Sequence, residues 1–232
     1  MSVVACAWSS ILCAVSIVSG SVHATGTVLA RMSHVQPNLG QVPKVGKPYG
    51  RECRSLFKAG PGRVMVGADA SGLQLRLLGH YLAAYDGGTF ARVCEEGDVH
   101  TYMQSGTGII LRENSKTAHY AYLFGAFPYK LGTIVIFDYQ NAKENGLYDG
   151  PIPSLKRAPI LGKRVKDGLE ALLQMDALNG NLDRAAKRGY LKSFDGREIP
   201  VLSRHRALNA LLQGGEAVLM KHALIRVHPR LS

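Results

Sequence analysis

The sequence predicts an α+β fold, on three observations. Apolar residues recur at helical spacing over Ala70–Ala84 and Lys163–Leu178, residues alternate around a tight Asp195-Gly196 turn, and a short β-branched run precedes Asp69. From the N-terminus, Met1–Ala30 carries no Lys, Arg, Asp or Glu, and Val3–Val18 is mostly apolar. Residues 1–24 read either as a secretory signal, with Val22-His23-Ala24 as a small-residue cleavage site, or as an off-pattern segment, which is the preferred reading. His34–Gly50 is rich in Gly, Pro and Asn and predicts an extended, turn-laden segment. Arg63–Ala68 follows the Gly60-Pro61-Gly62 turn and predicts a buried strand that ends at Asp69. A helix then follows over Ala70–Ala84, with Leu73, Leu77, Leu78, Tyr81 and Leu82 on one side, stopped by Asp86-Gly87-Gly88. A second helix is expected from Asp98 through Met103 and a third from Arg112 to Gly125. Asn141–Gly162, with three prolines, is expected as loop, and Lys163–Leu178 as a helix. Gly189–Leu202 predicts a hairpin, and the last helix starts near Arg204 and runs toward Arg226.

Composition is that of a globular protein, with 46% hydrophobic and 19% charged residues. The charge balance is skewed: 28 Lys and Arg against 17 Asp and Glu give a formal +11. Such a chain attracts polyanions, either nucleic acid or an anionic membrane. The cysteines, Cys6, Cys13, Cys53 and Cys94, include no C-x-x-C pair and have no histidine at zinc-ligand spacing. Their irregular spacing does not describe a disulfide scaffold, so a reducing, cytoplasmic setting is expected; separately, no membrane partner is expected.

Three places carry possible chemistry. Asp69 sits where a strand is expected to give way to a helix; there a carboxylate either ligates a hard cation such as Mg²⁺ or caps the helix. Arg112, Lys116, Tyr120 and Phe124 are four apart and form one drifting helical stripe. Two cations followed by two aromatics suit a nucleoside triphosphate, phosphates first and then base and sugar; an amphipathic helix with its aromatics turned into the core has the same pattern. His100 either donates to a phosphate oxygen or is an ordinary polar residue at a helix start. Ser105–Gly108 contains G-x-G, but without the third glycine and a preceding strand it is no dinucleotide fingerprint.

Taken in order, these elements resemble family A DNA polymerases, the bacterial polymerase I class and its podophage relatives. The likeness is carried by Asp-x-Ser-x-x-x-Leu-Arg at Asp69–Arg76, Gly-Asp-x-His-Thr at Gly97–Thr101 and Arg-x₃-Lys-x₃-Tyr-x₄-Gly at Arg112–Gly125. Thr25–Pro43, Asp195–Val201 and His205–Gln213 resemble the family's palm entry, hairpin and primer-contacting helix. The resemblance covers roughly Thr25 to Lys221. It implies a right-hand polymerase fold with a first palm segment over residues 25–82, fingers over 83–200 and a shortened second palm segment over 201–232. It further implies that Asp69 and the Ala70 carbonyl ligate Mg²⁺, two ions being expected in the family. Gln74, His100, Arg112, Lys116 and Tyr120 would hold the deoxynucleoside triphosphate, with Asp69 and Lys116 as the catalytic groups. Arg31, Phe124, Gly125, His205, Asn209 and Gln213 would meet the primed DNA template. The implied reaction is template-directed deoxynucleotidyl transfer.

This chain departs from the family pattern in places. The family has Glu, excluding a ribose 2′-hydroxyl, where Gln74 stands, and Tyr where Phe124 stands; Ala30-Arg31 replaces its Gly-Arg. Thumb and exonuclease elements and the His-Asp-Glu hairpin with the second metal carboxylate are not found, so the second metal site is expected to be incomplete. The alternatives are a non-catalytic nucleic-acid-binding remnant, or one half of a split polymerase that needs a missing C-terminal piece. The related phage-type RNA polymerases are disfavoured by Tyr120, where they usually place Met, and by Leu75-Arg76.

Overall fold

The computed structural model describes residues 20–227 and divides after Ala70 into two units, Met1–Ala70 and Ser71–Ser232. The apolar segment through residue 19 therefore lies outside the described residues. In the first unit β1 (Ser21–His23) and β2 (Ser33–Val35) form an antiparallel ribbon with Val22 opposite His34. Turns and a single 3₁₀ turn at Leu39–Gln41 lead to α1 (Gly50–Ser55), and the Arg54 guanidinium donates to the Pro43 carbonyl at 2.8 Å. The turn-laden reading of His34–Gly50 holds.

The buried strand expected over Arg63–Ala68 does not form. Val64 is 83% exposed, and the segment pairs with neither of the two sheets among the described residues. A β-branched run supplies a preference for extended backbone but not the hydrogen-bond partners, which only neighbouring strands provide. Asp69 is not a helix cap either, because the next helix starts only after Gly72.

The second unit is built on helices. α2 (Leu73–Asp86) buries Leu75, Leu77, Leu78 and Leu82 and stops at Gly87 in the left-handed region. Asp86 makes the corner: its carboxylate accepts from the Gly88 and Phe90 N–H groups, both at 2.8 Å, and starts α3 (Thr89–Glu96). Then come α4 (Val99–Ser105), α5 (Arg112–Leu123), α6 (Pro128–Glu144), α7 (Ala158–Leu172) and α8 (Asp176–Arg188). The ribbon of β3 (Tyr190–Lys192) and β4 (Glu198–Pro200) pairs Leu191 with Ile199 around the Asp195-Gly196 turn, as the alternation predicts. α9 (Ala207–Val227) closes the unit. The core is leucine-rich, centred on Leu78, Leu82, Phe90, Met103, Leu123, Leu131, Leu169 and Leu212.

Two boundaries differ from expectation. The loop expected over Asn141–Gly162 is shorter at both ends: α6 runs on to Glu144, and Pro159 stands in the first turn of α7, where a missing N–H costs nothing. The helix expected over Lys163–Leu178 is two helices, broken between Leu173 and Met175 with Gln174 at φ +50°. None of the helices among the described residues is long and apolar enough to cross a membrane.

Candidate functional site

The start of α5 is fixed from a distance. Asp138, fully buried on α6, accepts from the Ile110 N–H at 2.7 Å, the Leu111 N–H at 2.9 Å and the Asn114 amide at 3.0 Å. Free N–H groups and the positive end of the helix dipole favour an anion there. Gln104 completes the clamp by donating to the Ile109 and Ile110 carbonyls. Ser115, Ala118, His119, Tyr122 and Leu123 consequently turn inward.

The opposite stripe faces out. Arg112, Lys116 and Phe124 are exposed and Tyr120 is half-buried, so the aromatics are not packed into the core as in the ordinary amphipathic pattern. Tyr120 and Phe124 lie in stacked orientation with ring centroids 6.4 Å apart. His100 on α4 stands beside them, 6.2 Å from the Tyr120 ring and stacked at 6.1 Å on His119. Asp98 joins the two helices: it caps α4 through the His100 and Thr101 N–H groups and accepts a two-pronged bond from Arg112 at 2.9 and 3.1 Å. The Thr101 hydroxyl first, then Arg112 and the two backbone N–H groups, holds the Asp98 carboxyl down at about 2. Arg112 is thus oriented by a carboxylate it must leave or share to meet another anion, whereas Lys116 has no ion pair among the described residues.

His119 is the group on α5 that sequence reading missed. It is fully buried, with Nε2 2.9 Å from the Ser115 hydroxyl and Nδ1 without a hydrogen-bond partner among the described residues. Burial, and secondarily the neighbouring His100, depress its pKa to about 4. His100 is also lowered, by partial burial and then by Lys116 and Arg112, against the pull of Asp98 and Glu113. An unfolded histidine titrates near 6.5, so on acidification the unfolded chain takes the proton first. His119 stability is therefore complete above about pH 6.5 and declines as pH falls to about 4, by a total of about 3 kcal/mol. Urea denaturation of His119→Gln between pH 7 and pH 4 should show most of that slope removed.

The other expected site residues fall into separate groups. Gly125, at φ +77°, packs on the chain at His205: a Cβ there would lie 2.2 Å from the His205 carbonyl oxygen. Both border a cleft of about 490 Å³ lined also by Phe127, Lys166, Glu170 and Arg204. Asn209 and Gln213 are one turn apart on α9, and Gln74 on α2 reaches the same helix by donating to Glu216 at 3.1 Å. Asp69, Ala70 and Arg31 belong to the first unit and are exposed; the Arg31 N–H donates to the Thr27 hydroxyl at 3.0 Å. One carboxylate and one peptide carbonyl, those of Asp69 and Ala70, fit a hard divalent ion that takes its remaining ligands from phosphate and water. Among the described residues no three His, Cys, Asp or Glu side chains are grouped to hold a metal on their own.

Asp138, His119 and Glu216 had no local motif to reveal them. The only signal for Asp138 is an acidic residue directly after an apolar run, Ile134–Phe137.

Residues 9–232 match the family model for DNA polymerase family A, a match that begins inside the apolar segment expected to be off-pattern. The DNA-directed DNA polymerases of Enterobacteria phage T3 and Escherichia phage T7 are each 36% identical over 222 residues, 92% of this chain and 31% of theirs. A thermostable DNA polymerase I from Thermus thermophilus is 28% identical over 228 residues, 89% of this chain and 25% of its own. The chain thus spans about a third or less of these relatives. Among solved structures, the POL domain of Pol1 from M. smegmatis, in complex with DNA primer-template and dNTP, has the same fold with a TM-score of 0.66. The identity is 23%, and the match covers 91% of this chain and 37% of that one.

Proposed function

Because this chain belongs to DNA polymerase family A, we propose that it supplies palm and fingers elements of a DNA-directed DNA polymerase and binds a deoxynucleoside triphosphate and primed DNA. The observation that carries this reading is the outward stripe of α5, Arg112, Lys116, Tyr120 and Phe124, with His100 beside it. The cations occupy the first two turns, where they can meet phosphates with charge-assisted hydrogen bonds, and the aromatic faces follow toward the C-terminus. The solved relative bound to DNA primer-template and dNTP supports the same ligand classes.

The reaction so assigned is in-line attack of a primer 3′-hydroxyl on the α-phosphate, with the bond to pyrophosphate breaking. When bound, Mg²⁺ supplies charge neutralisation at the phosphates and lowers the pKa of the attacking hydroxyl. Asp69 and the Ala70 carbonyl would hold it, an assignment resting on the resemblance. Lys116, Arg112 and His100 would grip the triphosphate and offset the charge that builds on the leaving pyrophosphate. Tyr120 and Gln74 would border the sugar, and Phe124 and Gly125 the templating base. Arg31, His205, Asn209 and Gln213 would meet primer and template. The net charge of +11 supplies salt-sensitive attraction to the duplex.

The test measures dNTP affinity with Mg²⁺ and primed DNA, and primer extension alongside it. Lys116→Ala should weaken dNTP binding about 10- to 100-fold through loss of one charge-assisted contact, while primed-DNA binding changes little. Equal affinity in the variant and the parent would overturn the assignment. Extension that is lost in Asp69→Ala would support the metal-binding role of that carboxylate.

A further inference from the structure

Gln74 and Glu216 are 142 positions apart, yet Gln74 Nε2 donates to Glu216 Oε2 at 3.1 Å and ties the first turn of α2 to α9. Both side chains are half-buried. Glu216 follows Gln213 by three residues and Asn209 by seven, so all three share one face of α9. A glutamine side chain has three rotors and can swing aside to admit a larger ligand. One held through its amide nitrogen by a carboxyl oxygen loses that freedom, because moving it breaks a hydrogen bond in a half-buried setting.

We propose that Glu216 is a positioning residue for sugar discrimination: it pins Gln74 so that the amide stands as a fixed obstacle to the 2′-hydroxyl of a ribonucleoside triphosphate. The proposal rests on the reading of Gln74 as a nucleotide contact. The same pair accounts for the amide at position 74. A glutamate there would set two carboxylates within hydrogen-bond distance of each other, which cannot both ionise without mutual cost. Glutamine beside Glu216 keeps the bulk and turns that repulsion into a bond.

The experiment uses the full chain with primed DNA and Mg²⁺, and compares affinities for a dNTP and the rNTP of the same base by displacement of a fluorescent dNTP. Glu216→Leu should lower the dNTP-to-rNTP preference about tenfold, mostly by tighter rNTP binding. Glu216→Ala serves where leucine disturbs the packing. Glu216→Gln, whose own carbonyl can accept the Gln74 bond, should retain the preference. In parallel, thermal denaturation should show Gln74→Glu destabilised at pH 8 and rescued either at pH 5 or by adding Glu216→Gln. An unchanged preference in Glu216→Leu and Glu216→Ala, or equal weakening of both nucleotides, overturns the proposal and leaves a purely structural contact. Failure of the unmodified chain to bind any nucleotide overturns the underlying reading as well, and the thermal cycle then still shows whether the two side chains are coupled.

Discussion

Asp138→Ala is expected to lower stability by about 3 kcal/mol and to weaken nucleotide binding in parallel. The carboxylate is fully buried, and its three donors are the Ile110 and Leu111 N–H groups and the Asn114 amide. Alanine leaves those donors without an acceptor in a partly buried place, where each unsatisfied group costs about 1–3 kcal/mol. Part of that loss is recovered by water entering, which sets the expected total well below the sum of three such penalties. Asp138→Asn is the informative partner. It keeps the shape and one acceptor oxygen but turns an amide toward an N–H donor, so an intermediate loss is expected. Urea denaturation reads the stability directly. Because Asp138 fixes where α5 begins, Arg112 and Lys116 shift with it. At matched folded fraction, dNTP affinity should still fall in Asp138→Ala, whereas unchanged affinity would show that α5 holds its place without this anchor.

Gly162→Ala is expected to destabilise the second unit by about 3 kcal/mol or more, with Gly132→Ala close behind. α6 and α7 pass so closely that a Cβ on Gly162 would lie 1.7 Å from the Pro128 carbonyl oxygen, and one on Gly132 would lie 1.8 Å from that of Ala158. These are backbone atoms, so no side-chain rotation relieves the overlap, and the helices must separate along the length they share. The two substitutions press on the same contact, so their effects should sum to less than the separate losses. Gly180→Ala is the control within the same unit. It lies in α8 with its nearest neighbour the end of Arg184 at 3.8 Å, and there alanine should stabilise by about 0.5–1 kcal/mol. Thermal denaturation of the three variants should therefore give opposite signs for the same chemical change.

Local chemistry was legible where neighbours in sequence are also neighbours in space. The Asp86-Gly87-Gly88 stop, the helix start at Asp98 and the Asp195-Gly196 turn each depend on hydrogen bonds spanning a few residues, and each stands where the spacing put it. The stripe from Arg112 to Phe124 was equally readable, because four-residue spacing fixes a helical face whatever surrounds it. Which way that face turned was not, since an exposed stripe and a buried one share the same period. Prolines misled where position matters: Pro159 opens α7, although the proline-rich stretch was expected to be loop throughout.

By itself, then, the sequence determined the family, the closing hairpin and the residue types available on α5, together with the helices around Ala70–Ala84, Asp98–Met103, Arg112–Gly125 and Arg204–Arg226, but not those over Thr89–Glu96 and Pro128–Glu144. Tertiary structure alone decided three further things. The Arg63–Ala68 run is an exposed segment, because a strand needs partners that no local pattern encodes. α5 is anchored by Asp138 from 27 and 28 residues away, and Gln74 is held by Glu216 from 142. The physical reason is common to all three: hydrogen-bond satisfaction and burial are settled between distant segments, whereas propensity and periodicity are properties of one segment at a time.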